Sequence, residues 1–263
     1  ELSRPRPGHA DLAGALKYNQ AIRPVLERAS ARETVIRVVV GTLARLFLKE
    51  FDIEVVSHVV RVGGVSIPDE ELTAAEIKKR VKNSGMNCAF PETEKTMVEL
   101  IREAMERRDS LGGQYEVRIT GLPIGLGSYV HWKRKLDGRI ARGFMSKQSV
   151  KAVEFGWGTK LGKIFGSEAQ DEIFYSKEKG YYRKTDRAGG VEGGMTNGAD
   201  LIVRVTMKPI STLRRPLASV NMKTKKAEQA EYERSDVAVV PAGSVIGESI
   251  AAYETADAFL EKF

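Results

Sequence analysis

The sequence predicts a mixed α/β (α+β) domain with substantial antiparallel sheet, and three observations carry that reading. Segments of period-two alternation recur between segments of helical period along the whole chain. Short hairpin-like turns, such as the one at residues 177–180, join neighbouring strands, which suits antiparallel pairing and not the long crossovers of a doubly wound sheet. The 263 residues can bury a large core, so a single domain over 1–263 accounts for the chain.

The elements follow in order. Ser30 to Phe51 predicts the clearest helix: Ser30 caps it, Glu33 completes an S-x-x-E box, and Val35, Val38, Val39, Leu43, Leu46 and Phe47 cover much of its circumference, so it should be largely buried. Ile53 to Val62 alternates as a strand closed by Gly63 and Gly64, with His58 in a structural role. Thr73 to Asn83 and Glu92 to Asp109 read as polar amphipathic helices, the second carrying a packing stripe of Met97, Leu100, Ile101, Ala104 and Met105. Residues 85–91 between them read as a loop or insertion.

Tyr115 to Thr120 is a short strand. The glycines at 121, 125 and 127 that follow it lack the Gly-Lys-Ser/Thr ending of a Walker loop and the spacing of a dinucleotide fingerprint. A long helix is expected from Leu136 through Val153, ending near Gly156, then a hairpin over Glu172 to Lys184. Five glycines within 189–198 would let backbone approach another group closely. Ala199 to Ile210 sets Leu201, Val203, Val205 and Met207 against Ile202, Arg204, Thr206 and Lys208, a strand with one apolar face. A short apolar strand to Val240 precedes a last helix whose Gly243, Ser244, Gly247, Ser249, Ala251, Ala252 and Ala256 allow close packing.

Composition removes several function classes. With 42% hydrophobic and 29% charged residues and no apolar run of membrane-spanning length, a soluble globular protein without membrane contacts is expected. Glu1 is not followed by a charged-then-apolar leader, which makes a cytoplasmic setting the default. Cys88 is the single cysteine and there are three histidines, so neither an internal disulfide nor a metal cage is expected. The net charge of +7 raises nucleic acid, but 42 basic residues are spread among 35 acidic ones without a recognisable nucleic-acid motif. A small, highly charged anionic substrate explains the local arginine clusters without nucleic acid.

Those clusters are Arg4-Pro5-Arg6-Pro7-Gly8-His9-Ala10-Asp11 and Arg28-Ala29-Ser30-Ala31-Arg32-Glu33-Thr34. Each sets arginines, an imidazole or hydroxyl, and a carboxylate within a few residues, the first beside turn-forming Pro and Gly; guanidinium forks hold anions and an imidazole supplies a proton near neutrality. Lys208-Pro209-Ile210-Ser211-Thr212 adds an ammonium and two hydroxyls at a strand end, and Glu233-Arg234-Ser235-Asp236 adds another charged group. Taken singly, each of these residues is as well explained by a surface charge, a salt bridge or a strand-ending turn.

In order along the chain, RPRPGHADLAGALKY, RASARETVIRVVVG, GLPIGLGSYVHWKRKLD, GGVEGGMTNG, MKPIST and ERSDVAVVPA resemble the signatures of chorismate synthase, over essentially the whole sequence. The resemblance implies a sandwich of helices between antiparallel sheets, assembled as a homotetramer. It implies a lyase that converts 5-enolpyruvylshikimate 3-phosphate to chorismate and phosphate by anti-1,4-elimination, using reduced FMN without net redox change, with NADPH a candidate reductant. By resemblance His9 protonates the reduced flavin and Asp236 assists proton transfer from substrate. Arg6, Arg32 and Arg234 would hold substrate, and Arg28, Ala29, Ser30, Gln148, Ser149, Gly194, Lys208, Pro209, Ile210, Ser211, Thr212 and Arg234 would hold the flavin.

Three places depart from the family pattern: Gln148-Ser149, Ala199-Asp200 after Asn197-Gly198, and Gly243-Ser244. The family also has a glycine- and arginine-rich segment with a second catalytic histidine ahead of the position of Glu1, and a short stretch beyond Phe263. The chain is thus expected to be trimmed at both ends, and with nothing added it would bind flavin and turn over little. Two rival classes stand beside this reading. A redox flavoprotein such as a reductase would oxidise flavin as substrate reacts, and a non-catalytic anion or nucleic-acid-binding module would show salt-steep binding without flavin.

Overall fold

The computed structural model describes residues 2–263. In chain order the strands are β1 (Glu54–Val62), β2 (Val65–Ser66), β3 (Gly113–Thr120), β4 (Val150–Phe155), β5 (Ile173–Ser176), β6 (Gly180–Arg183), β7 (Val191–Glu192), β8 (Met195–Thr196), β9 (Leu201–Met207), β10 (Ala218–Val220) and β11 (Ala227–Gln229). The helices are α1 (Asp11–Tyr18), α2 (Ile22–Arg28), α3 (Thr34–Lys49), α4 (Ala74–Val81), α5 (Pro91–Glu106), α6 (Leu136–Met145), α7 (Gly166–Ala169) and α8 (Val240–Lys262).

Five strands form one sheet in the order β2-β1-β3-β9-β4, every neighbour antiparallel. Mixed helix and antiparallel sheet is therefore the observed class, as the alternation predicts. Tyr115, Val117 and Ile119 of β3 pair with Val205, Val203 and Leu201 of β9, so period-two side chains meet in one apolar face. Helix α8 lies against β1 and β3, α6 against β4 and α8, and α3 crosses α8. The small residues of α8 permit this: Gly243, Ser244, Gly247, Ala251 and Ala252 are buried, and Tyr115 fills the space beside Gly247. The opposite strand positions carry polar side chains, with His58, Glu116, Arg204 and Glu154 in register across four strands.

Several expectations need correction. The helix expected over Leu136–Val153 ends at Met145 with Ser146 as its C-cap, and Ser149 at φ 69° bars any continuation toward Val153, since no helix runs through that left-handed conformation. Residues 150–155 instead pair with β9, satisfying the edge of the sheet. The helix from Ser30 begins with a 3₁₀ turn, Ala31–Glu33, capped by Ser30 Oγ accepting from Arg32 N, while Glu33 turns to Arg37 and Gln148 and no capping box forms. Nor is α3 largely buried: Val35, Ile36, Val39, Leu43 and Leu46 are all more than half exposed. Apolar residues around most of a helix call for partners on several sides, and here α3 has them only toward α8 and β1 among the described residues. Met105 also lies outside the packed stripe of α5, and residues before Val240 make one parallel bridge, Leu111 to Ala238, rather than a strand. The true capping box belongs to α4, where Thr73 and Glu76 satisfy each other's backbone. Residues 85–90 carry neither helix nor strand and Pro91 already opens α5, yet Cys88, Ala89 and Phe90 are buried, so this connection is packed rather than looped out.

Candidate functional site

The first motif builds its own turn. His9 N donates to Arg6 O across Pro7 and Gly8, with Gly8 at φ 80°, the pattern of a type II turn in which proline presets the first central position and glycine accepts the second. A Cβ on Gly8 would sit 2.7 Å from Ser211 Oγ, so the turn also needs glycine to approach the segment after β9. The turn returns Asp11 to Arg6: Arg6 Nε and Nη2 donate to the two Asp11 oxygens at 2.8 and 3.0 Å, and Arg6 N donates at 3.0 Å. Both residues are buried. Burial opposes the Asp11 charge, but the Arg6 guanidinium and amide hold its carboxyl below the usual carboxylate range. Upstream, Arg4 forks onto Glu231 at 2.9 and 2.7 Å and Pro5 O accepts from Ser219 Oγ, which seats the segment beside β10 and β11.

Across from this turn, β9 delivers Lys208 to Thr212. Lys208 Nζ donates to Gly8 O at 2.6 Å and to Ser211 Oγ at 2.7 Å. Thr212 Oγ1 accepts from Arg6 Nη1 at 3.2 Å and lies 3.1 Å from His9 Nε2. The segment is braced from outside by Ser110 Oγ donating to Ile210 O and by Ser235 Oγ donating to Thr212 O. The second brace brings Arg234 and Asp236 to the rim, where both side chains are exposed. Burial first, then the charges of Arg6 and Lys208, push the His9 imidazole below its ordinary value, with Asp11 partly opposing. At neutral pH the resting imidazole is uncharged.

The second cluster joins through backbone. Lys208 N donates to Ser149 O at 2.8 Å, and Gln148 Nε2 donates to Glu33 Oε1 at 3.0 Å, which ties residues 28–33 to the end of β9. Ala29 is exposed on this turn and Ser30 half-buried. Arg28, Arg32 and Arg234 are exposed and make no side-chain hydrogen bond or ion pair among the described residues, so their forks are available to an anion. Gln148 Oε1 and His9 Nδ1 are buried without a hydrogen-bond partner, one acceptor and one ring nitrogen left open at the same site. Pro209 is exposed beside them.

Two of the expected site residues behave differently. Arg6 is not a free fork: three of its N–H groups are committed to Asp11 and Thr212, so it shapes the site from beneath. Gly194 is not brought to this cluster. Its carbonyl accepts from Leu136 N at the start of α6, whereas Gln148 lies beyond that helix's far end, a ten-residue helix or about 15 Å away. Asp11, Ser110 and Ser235 were not singled out from the sequence. Asp11 and Ser235 lie inside quoted motifs without a role of their own there, while nothing local marks Ser110; the partners of the two serines are 100 and 23 residues away.

A cleft of about 500 Å³ lies elsewhere, on the polar face of the sheet among Arg61, Glu116, Trp157, Asp200 and Arg204. Its charges are largely paired within the protein: Glu116 accepts from Arg204 and Arg118, and His58 Nε2 is 3.7 Å away. The convergence of four sequence motifs marks the functional site.

Comparison with known proteins agrees with that convergence. The chorismate synthase family model matches residues 2–260. Chorismate synthase from Alkaliphilus metalliredigens (strain QYMF) is 51% identical over 263 residues, covering all of this chain and 69% of the relative. The chorismate synthase of Desulforudis audaxviator (strain MP104C) is 52% identical over 263 residues, covering all of this chain and 67% of its own length. A crystal structure of chorismate synthase superposes with a TM-score of 0.83 at 40% identity, over 96% of this chain and 70% of that one. Signature residues gathered by the fold around β9, a match over nearly the whole length and identity near one half leave one assignment: the chain belongs to the chorismate synthase family, lyases of aromatic biosynthesis.

Proposed function

We propose that this chain carries out the phosphate elimination of that family, an anti-1,4-elimination that turns 5-enolpyruvylshikimate 3-phosphate into chorismate and phosphate, as one domain over 1–263. The observation that supports it best is the arrangement around Lys208: an ammonium, two hydroxyls and a neutral imidazole, with three exposed arginines carried on segments tied to the same strand end. A substrate with one phosphate and two carboxylates calls for several guanidinium partners, and the exposed Arg32 and Arg234 would serve as such. Arg28, Ser30, Gln148, Ser149, Ser211 and Thr212, with Lys208 at the centre, would hold reduced FMN; the open Gln148 Oε1 and the hydroxyl set fit a ring edge with alternating donors and acceptors. When bound, the reduced flavin supplies electron density that it recovers, so that no net oxidation results.

The protein's own groups then divide the proton work. His9, neutral at rest, acquires a proton as negative charge enters beside it, because an anion offsets the cations that hold its affinity down. Asp236, exposed and two residues from Arg234, helps receive the proton lost by the substrate. Assembly as a homotetramer and a cytoplasmic setting accompany this reading, and the bare face of α3 favours self-association.

The test is anaerobic mixing with chemically reduced FMN and the enolpyruvyl substrate. Chorismate and phosphate released in equal amounts with the flavin still reduced support the proposal. Flavin oxidised in proportion to product favours a reductase, and salt-sensitive nucleic-acid binding with no flavin affinity favours a binding module.

A further inference from the structure

We propose that Thr212 is a positioning residue that fixes which nitrogen of His9 carries the proton. A threonine hydroxyl has one proton to give and two lone pairs to offer. Arg6 can only donate, so its Nη1 at 3.2 Å occupies one lone pair of Thr212 Oγ1. Arg6 has no freedom to turn away, since its Nε, Nη2 and backbone N are all held by Asp11, itself 1% exposed. Thr212 is 6% exposed, and among the described residues the side-chain partners of its hydroxyl are Arg6 and His9. The hydroxyl proton therefore has one acceptor, His9 Nε2 at 3.1 Å. Neutral His9 must then carry its own proton on Nδ1, which is buried and feels the Pro7 carbonyl without completing a hydrogen bond.

The same arrangement couples protonation of His9 to an arriving anion. When Nε2 gains a proton, two donors, Arg6 and the imidazolium, point at one oxygen, and the Thr212 proton must find a new acceptor. The resting site offers none among the described residues. A ligand oxyanion beside Thr212 would supply it, and the proton count closes: Nε2–H to Thr212 Oγ1, Thr212 O–H to the ligand oxygen. The charged groups facing His9 are Arg6 from the turn, Asp11 from α1 and Lys208 after β9. The tautomer stands on geometry alone; its use in turnover rests on the function proposed above.

Imidazole ¹⁵N–¹H correlation spectra test this directly, with His9→Gln used to assign His9 among the three histidines. The neutral His9 of the wild-type chain should show the Nδ1–H pattern, and Thr212→Ser should keep it. Thr212→Val should populate Nε2–H, since Nε2 loses its donor. Added inorganic phosphate should raise the His9 titration midpoint in the wild type and in Thr212→Ser, and raise it less in Thr212→Val. An Nε2–H pattern in the wild type overturns the proposal even if the valine variant does not fold, as does a valine variant with an unchanged pattern. A valine variant with a changed tautomer but unaltered kcat and pH profile leaves the tautomer assignment standing and rejects His9 as the proton donor.

Discussion

At the scale of single residues, the clearest conflict between local chemistry and folding is Lys147. Its side chain is buried next to the candidate site, and among the described residues its Nζ finds only Gln148 O at 3.5 Å and Met207 Sδ at 3.6 Å. Burial, then the nearby Arg37, lowers its pKa to about 8, with Glu33 opposing. A lysine whose folded value lies below its unfolded value of 10.5 costs stability throughout the pH range below 8, and the cost is relieved as pH rises from 8 to 10.5. The penalty at pH 7 is on the order of 3 kcal/mol. Lys147→Met should therefore raise unfolding free energy at pH 7 by ~1–3 kcal/mol and remove the gain in stability between pH 8 and 10.5, both measurable by urea titration. A variant less stable than the wild type at pH 7 would show that the ammonium is satisfied in a way these contacts do not reveal. Asp236→Asn tests the opposite case, a residue with no packing role because it is exposed. Turnover should fall by ~10² or more while flavin affinity stays within a few-fold, as expected for proton-transfer assistance. Equal losses in both would reject that role.

At the scale of elements, α3 and α8 make the most extensive helix contact, and Gly41 sets their distance. A Cβ there would meet Ser249 Cβ at 2.3 Å and Ser249 O at 2.6 Å, so the helices would have to separate. Gly41→Ala should cost ~1–3 kcal/mol despite alanine's better helix propensity. Gly162→Ala, where nothing lies within 4 Å, should change denaturation midpoints little. Equal effects at both positions would place the cost in the backbone rather than in packing. The elements that could be read from sequence were those whose pattern and partner coincide: β9 alternates and is alternately buried, and the small face of α8 is buried against β3. Residues 150–155 were hidden because the left-handed Ser149 that separates them from α6 is an unusual conformation for serine, with no signal in residue type. The site motifs were legible because each is contiguous. The Arg6–Asp11 lock was not, since it exists only once Pro7 and Gly8 turn the chain back.

At the scale of the whole molecule, the same α3 that packs tightly on α8 leaves Val35, Ile36, Val39, Leu43 and Leu46 facing outward. Sequence gave the apolar content but not the partner, because hydrophobic periodicity reports what a face needs and not which surface meets it. A contiguous row of large aliphatic side chains along several helical turns is unusual for an isolated monomer and marks a surface that associates. The turn carrying Ser30, Arg32 and Glu33 leads directly into this helix, so a contact on α3 would also hold one wall of the candidate site. The chain should therefore run in light scattering as a multiple of its 29.0 kDa mass, with four copies as the proposed state. Introducing charge through Val39→Lys and Leu43→Lys should shift it to the monomer, because burying two ammonium groups would cost more than the apolar contact returns. Secondary structure should persist, since both positions are exposed within the chain, while affinity for reduced FMN should weaken as the Ser30 turn loses support. A wild-type chain that remains monomeric at high concentration, or a double variant that assembles unchanged, would assign that face to some other contact.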